Sequence, residues 1–385
     1  MCITAYSLTM ACIWTSVLAV MMYVIQKNIR TLQYFGINNM LILYGFCIIR
    51  MLVPIELPIT KTVPVEIFYN TMTRLCRAET IESGILIGDV LLMIWGCGTI
   101  ICLCFLIKDY QMTKRELRAC AVRANKRAYN ILEILQEDRK DKRKIEVYTT
   151  PYAVPMEIGI LYPIILLPDR EYREQDLYYI MKHEYTHILN HDTTVKLLLN
   201  LWSCFFWWNP ITYLLRKNME NMLELKCDLS VVEKLGKEKR AEYLSAILHA
   251  IQNAAKETKQ NCLPKKINAL YKVHSRAETL TRFRCVSEYA ELTEQTKAKY
   301  KKHIAVMFGV YIIVFCASYG FVFQSRFDVP PEEIITKENI FEIRPDNTFL
   351  REKKGRYEII CENQNIGDVG EDAALMMEEE GFEIR

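Results

Sequence analysis

The run His183-Glu184-Tyr185-Thr186-His187 places two imidazoles at i and i+4 around a carboxylate. On a helix those two positions lie one above the other on one face, so both rings can reach a single metal ion. Glu184, next in sequence to the first ring, can approach water at that metal from beside the site. Two imidazoles and one carboxylate select zinc and keep a fourth position open for water. The chemistry this predicts is peptide-bond hydrolysis. The metal lowers the pKa of water and polarises the scissile carbonyl, while Glu184 takes the water proton and passes it to the leaving amine. The chain has only six histidines, which makes this spacing about a glutamate a small target for chance.

The third ligand must come from elsewhere. His191 stands four residues beyond His187, but on a continuing helix it lies about 12 Å along the axis from His183. Ligands spread that far cannot share one ion at bond lengths of about 2 Å. No glycine between His187 and His191 offers to turn the chain back. The later segment from Met219 to Asp228 presents Glu220, Glu224 and Asp228 at i, i+4 and i+8. Glu224 is the expected ligand. Asp228, one turn on, is expected to hydrogen-bond the far nitrogen of a ligating histidine and fix its tautomer. Glu220 reads as a solvated helix charge.

These groups need a scaffold. A helix from about Glu171 or Arg173 to Asn190 carries the histidine pair, and further helices fill 216–235 and 238–257. Ahead of them, 145–150, 156–160 and 163–167 read as short strands of a small antiparallel sheet or hairpin, punctuated by Gly159 and Pro163. Residues 113–136 repeat apolar positions at helical spacing among basic ones. They predict one amphipathic helix, lying on anionic lipid or simply solvated.

The composition, 51% hydrophobic and 25% charged, excludes a disordered or collagen-like chain, and a net charge of +3 is too small for nucleic-acid binding by bulk charge. Fourteen cysteines without a CxxC pair argue against a disulfide scaffold or a cysteine-only zinc site. Apolar runs at about 3–25, 37–57, 85–107 and 304–323 approach the roughly 20 residues needed to cross a bilayer. The first is read as a retained helix, since Lys27 and Arg30 follow it and nothing positive precedes it. Arg50 and Asp89 interrupt the second and third runs. Both are expected to face the bundle interior, either paired with each other or with Arg50 snorkelling to its span end. Positive charge gathers after the first run and densely after Ile107, which places those segments inside. The N-terminus, the loop at about 58–84 and the tail, with 16 acidic against 8 basic residues, then lie outside.

A further apolar run, 195–215, looks like another span. Crossing would put His183 and His187 on one side and Glu224 on the other, and one ion cannot bridge a hydrocarbon core of about 30 Å. The run is therefore expected to turn back at Asn209-Pro210 as a re-entrant or interfacial helix pair, its tryptophans near the bilayer surface. The fold class is thus mainly α: a polytopic membrane protein with four transmembrane helices and a mostly helical zinc metallopeptidase domain holding a small antiparallel sheet. Its parts are three spans over 1–107, a cytoplasmic catalytic domain over 108–302, a fourth span over 303–324 and a short acidic extracellular tail over 325–385.

The helix-borne HExxH, the apolar stretch ending in WWNP, ELKCD about 37 residues beyond the second histidine, and VPMEIGILYPIILLP before them together resemble the BlaR/MecR-type signal-transducing membrane zinc metallopeptidases. The resemblance covers roughly 1–325 and is strongest over 154–228. It implies a gluzincin-like domain with one Zn2+ held by His183, His187 and Glu224, Glu184 as general base, and Asp228 as the aspartate of the ExxCD motif. It also implies transmission of an outside signal by self-cleavage and by removal of a cytoplasmic repressor. Expected partners are membrane lipids, a repressor-type protein, and the chain itself as substrate or as the second copy of a homodimer; no nucleic acid is expected. Antibiotic-sensing members carry a large penicillin-binding domain after the last span. Here about 60 residues follow, with no SxxK, SxN or KTG element, so covalent β-lactam sensing through the tail is not expected. Cys76 and Cys361 would both lie outside, where they could pair. Arg282-Phe283-Arg284 reads as a basic membrane flank or a self-cleavage segment. Two rival functions remain open: a non-catalytic transducer braced by zinc, and a quality-control protease akin to the heat-shock membrane zinc endopeptidases.

Overall fold

A computed structural model describes residues 2–3, 5–27, 36–65, 86–151, 154–233, 235–260, 276–288 and 294–324, and in the tail 343, 345, 347–353, 356–361, 364–379 and 381–384. In chain order the elements are β1 (Cys2–Ile3), α1 (Ala5–Lys27), α2 (Ile37–Leu52), β2 (Ile55–Glu56), β3 (Lys61–Pro64), α3 (Ile87–Cys120), β4 (Val122–Arg123), α4 (Lys126–Arg139), β5 (Glu146–Thr150), β6 (Met156–Ile158) and β7 (Ile164–Pro168). Then follow α5 (Glu174–Asn190), α6 (Asp192–Phe205), α7 (Pro210–Val232), α8 (Lys237–Gln260), α9 (Arg276–Glu288), α10 (Glu294–Ala317) and β8 (Phe321–Gln324). The last are β9 (Thr348–Lys353), β10 (Arg356–Cys361), β11 (Gln364–Val369), α11 (Glu371–Glu379) and β12 (Glu383–Ile384). Two compact units divide the chain, Met1–Ser325 and Arg326–Arg385.

Among the described residues two helices are long and apolar enough to cross a bilayer, Tyr6–Gln26 within α1 and the whole of α3. Along α3, Leu92, Met93, Ile100, Ile101 and Phe105 are exposed, so this is no core helix of a water-soluble fold. The second and fourth apolar runs make shorter helical stretches, Ile37–Leu52 and Ile304–Ala317. Pro54 cannot extend α2, and the residues after it pair with β1 as β2. Phe321–Gln324, expected as the end of the fourth span, leaves the helix to pair in parallel with β3.

Arg50 and Asp89 do not pair. Arg50 is buried, its Nε donating to Ser318 Oγ at 2.9 Å and its Nη2 to the Ser318 carbonyl at 3.0 Å. Its guanidinium lies 4.2 Å from the centroid of the Tyr319 ring. Asp89 instead accepts the Leu86 N–H at 3.3 Å, capping its own helix.

The single amphipathic helix expected over 113–136 is two helices. α3 stops at Cys120, Val122 and Arg123 pair with β5, and Asn125 restarts the chain as α4 by accepting the Ala128 N–H at 3.1 Å. The small sheet is mixed rather than antiparallel, in the order β4-β5-β7-β6, because β5 and β7 run parallel. Val147, Ile165 and Leu167 of this sheet pack with Leu132 and Leu135 of α4 and with Leu177, Ile180 and Met181 of α5.

The 195–215 run breaks where expected. Asn209 accepts the Ile211 N–H at 3.0 Å and Pro210 occupies the first turn of α7, so α6 and α7 form a helical hairpin. The elbow seats on α3. Trp95 Nε1 donates to the Phe205 carbonyl at 2.8 Å and Trp207 Nε1 to that of Trp95 at 3.3 Å, and a Cβ at Gly98 would come within 2.4 Å of the Trp207 ring. Leu215, Met222 and Leu225 of α7 share one buried cluster with Leu18 and Met22 of α1 and Met40, Leu43 and Tyr44 of α2. The helix carrying Glu224 thus packs directly on the two N-terminal apolar helices.

In the tail unit the sheet order is β11-β10-β9-β12, with α11 before the last strand. Tyr357 to Cys361 lie in β10, and Ile343 lies in no strand. Cys361 is buried, and Cys76 lies outside the described residues.

Candidate metal centre

α5 presents different faces to different neighbours. Ile180 and Met181 face the sheet cluster, Tyr179 faces Val231, Tyr243 and Val286 of α7, α8 and α9, and the remaining stripe holds His183, Glu184 and His187, all buried. The helix ends at His191, whose φ of 57° is the left-handed cap conformation. The chain therefore does turn there without a glycine. The exposed residue His191 gains nothing from the turn; Asp192 does, swinging back so that His187 Nδ1 and Asp192 Oδ2 lie 2.7 Å apart.

His183 is held by a relay. Tyr243 Oη donates to Asp228 Oδ1 at 2.6 Å, so it accepts from His183 Nδ1–H at 2.9 Å. Asp228 Oδ1 itself lies 3.4 Å from that nitrogen, so it acts on the histidine mainly through the tyrosine. With each Nδ1 turned to its own partner, the two Nε2 atoms are the ones left facing Glu224 and, once deprotonated, can offer lone pairs to a metal.

Those two Nε2 atoms sit 3.2 Å apart. Glu224 Oε2 is 3.7 Å from the first and 3.6 Å from the second. Three potential ligand atoms thus converge, and Arg282 Nη1 stands 3.5 Å from the same Glu224 oxygen. Two donor atoms on one tetrahedral zinc, at bonds of about 2.0–2.1 Å, stand roughly 3.3 Å apart. The set fits a small divalent cation.

The charge around the three atoms agrees. Glu157, Glu184, Asp192, Glu224 and Asp228 are carboxylates on or near this pocket, while Lys196 and Arg282 are its side-chain cations. Lys196 Nζ bridges Glu157 Oε1 at 3.5 Å and Glu224 Oε1 at 3.4 Å. Burial works against ionising Glu224, but His187 and Lys196 outweigh it and hold the carboxyl well below its ordinary range. Burial likewise opposes charging His183, yet Cys227 and Glu224 beside it raise that ring to about 10. Both shifts say that positive charge belongs among these acceptors. Glu184 differs, because burial dominates and pushes its carboxyl up to about 7, the range of a general base working near neutrality.

Cys227 competes for the role of third ligand, since His183, His187 and Cys227 can bring one ligand atom each within 4.8 Å of one another. Its sulfur, however, lies 3.3 Å from the His183 carbonyl and 3.5 Å from His183 Nδ1, the nitrogen already bonded to Tyr243. The Nε2 atoms face Glu224 instead. Glu220 is a half-buried partner of Arg216 at 3.6 Å and takes no part. Arg282 is neither a membrane flank nor an open cleavage segment. It is buried within α9, with Nε 2.6 Å from Asp228 Oδ2.

Sequence reading missed Asp192, Tyr243, Lys196, Glu157 and Arg282. An aspartate five residues past the second histidine was the one available signal; the others join the site only through tertiary contact.

Helix-borne imidazoles facing a carboxylate from a second helix have the arrangement of an HExxH-type metallopeptidase site. Residues 78–280 match the BlaR1 peptidase M56 family, and the chain belongs to it. It is similar to the methicillin resistance mecR1 protein of Staphylococcus aureus, 26% identical over 166 residues, which are 41% of this chain and 28% of the relative. It is also similar to regulatory protein BlaR1 of Bacillus licheniformis, 21% identical over 170 residues, 43% of this chain and 28% of that protein. A third relative, regulatory protein BlaR1 of Staphylococcus aureus, is 27% identical over 93 residues, 23% and 16% of the two chains. The matched segments therefore span less than a third of each relative's length.

Proposed function

We propose that this chain is a membrane-embedded zinc metalloendopeptidase that relays a signal by cutting itself or a cytoplasmic regulator. His183, His187 and Glu224 hold the ion and Glu184 is the general base. The observation that carries this reading is the convergence of three acceptor atoms within 3.7 Å of one another. When bound, zinc supplies a Lewis acid that eases deprotonation of water and polarises a carbonyl. Glu184 then accepts the water proton and delivers it to the departing amine. Asp192 and the Tyr243–Asp228 pair keep both imidazoles in the tautomer that leaves Nε2 free. Strand β6 is an edge of its sheet and Glu157 on it reaches Lys196 beside Glu224, so an extended peptide can add to that edge and lie across the site.

The exposed apolar surface of α3 supports membrane insertion, with the basic run after Ile107 keeping the catalytic domain cytoplasmic and the N-terminus and tail outside. The mecR1 and BlaR1 relatives are named for resistance and regulation, which favours signalling over general proteolysis. The test is Glu184→Gln in purified, nanodisc-held protein. Cleavage should fall by roughly 10²–10⁴-fold while about one zinc per chain is retained. Cleavage that persists in this variant defeats the proposal, and normal signalling from it identifies a transducer in which zinc is only a brace.

A further inference from the structure

We infer that Arg282, on α9, is a positioning residue that sets the orientation of the Glu224 carboxylate toward the metal, so that the placement of α9 governs metal affinity. The inference rests on the ligand set proposed above. One planar guanidinium makes all the contacts. Nε and Nη2 grip both oxygens of Asp228 at 2.6 and 2.9 Å, and Nη1 lies 3.5 Å from Glu224 Oε2, the oxygen that faces both imidazoles. Such a forked pair fixes an angle as well as a distance, which an ammonium cannot do. Asp228 and Glu224 are one turn apart on α7, and Asp228 holds His183 through Tyr243. Arg282 therefore steadies one ligand directly and another through a relay.

Its helix is keyed into two buried regions. Cys285, one turn on, packs with residues of α1, α2 and α7 and with Tyr311 of α10, and Val286 packs with Tyr179, Val231 and Tyr243. A shift of α9 against α7 would leave Asp228 a buried, unpaired charge and let Glu224 rotate. Arg282 lies just past the residues matched by the family, 78–280, in the segment before α10.

The test uses the full chain in nanodiscs, with zinc affinity read by competition against a chromophoric chelator and ligand geometry read from the visible spectrum of the cobalt(II)-loaded protein. Arg282→Met should weaken zinc binding roughly 10–100-fold, Arg282→Lys should fall between it and the unmodified chain, and both should alter the cobalt bands. The double variant Arg282→Met with Asp228→Asn removes the orphaned charge and should alter the cobalt bands beyond the change that Asp228→Asn produces alone. Unchanged affinity and spectrum overturn the inference. So does tighter zinc binding in Arg282→Met, which would make the arginine a competitor of the metal. Weaker binding with unchanged cobalt bands also overturns it, since only a general structural role remains. If the unmodified chain binds neither ion, the ligand assignment itself has failed.

Discussion

Two buried charge clusters within residues 1–325 solve opposite problems. At Arg50, donors meet acceptors: the guanidinium finds the Ser318 hydroxyl and carbonyl and lies over Tyr319. Around His183 and His187, potential metal ligands meet, with two Nε2 atoms and a carboxylate oxygen turned toward one point. The first arrangement pairs Nε and Nη2, leaves Nη1 buried without a hydrogen-bond partner, and joins α2 to the end of α10. The second has the donor set and spacing of a metal site. Burial and charge alone do not mark a functional site, since both clusters have them; convergence of metal-ligating atoms does.

That contrast can be broken most directly by removing the metal. With zinc a thousandfold above its Kd, binding contributes about 4 kcal/mol to the folded state. Chelation should therefore lower the melting temperature of the unmodified protein, and Glu224→Gln should erase this response. A melting curve of the unmodified chain that ignores chelator would place the histidine cluster in the same class as Arg50.

The complementary experiment is Arg50→Met, which strands the Ser318 acceptors in a buried site. The expected loss is about 1–3 kcal/mol, identical with and without zinc. Differential scanning fluorimetry in both conditions reads it. A loss that appears only in the zinc-loaded form would show the two clusters to be coupled and would dissolve the distinction.

The difference between the clusters also explains what sequence could and could not reveal. The side-by-side placement of His183, Glu184 and His187 was legible because helical periodicity fixes their relation within five residues; Glu224 was picked from the stripe Glu220, Glu224 and Asp228, and that choice then required the 195–215 run to return to its own side. Asp192 was hidden behind a left-handed residue, His191, whose turn no glycine announces. Tyr243 and Arg282 reach Asp228 from 15 and 54 residues away, so only the packing of α8 and α9 on α7 brings them in. Of the fold, the helices about the site were readable from apolar spacing, whereas the ends of the second and fourth apolar runs were not. There Pro54 stops α2, and strand pairing of residues 321–324 with 61–64 overrides hydrophobicity. Residues 113–136 failed as one helix for the same reason, since pairing with β5 outcompetes a continuous helical pattern at Val122 and Arg123.

A third charged group sharpens the comparison with the smallest effect. Asp141 accepts two bonds from Arg143 Nε at 3.0 and 3.1 Å and one from Tyr185 Oη at 2.9 Å, while Arg143 Nη1 reaches the Ile188 carbonyl at 3.3 Å. Like the Arg50 cluster it pairs a guanidinium with oxygen acceptors, but it braces α5 rather than the apolar helices. Burial alone would raise the Asp141 carboxyl, yet the bonds from Arg143 and Tyr185 outweigh it and hold it below its ordinary value. A carboxyl depressed in the folded state stabilises at pH above its unfolded value of about 3.9, and that contribution disappears as pH falls through the lower folded value. Asp141→Asn should therefore cost about 1 kcal/mol near neutrality, with the gap between variant and unmodified protein closing as the medium is acidified below pH of about 4. Melting temperatures of both chains across that range, in chelator, decide it. A gap that widened toward acid would mean the carboxyl is raised, and that Asp141 belongs with the unmatched acceptors of the metal centre rather than with the closed pairs.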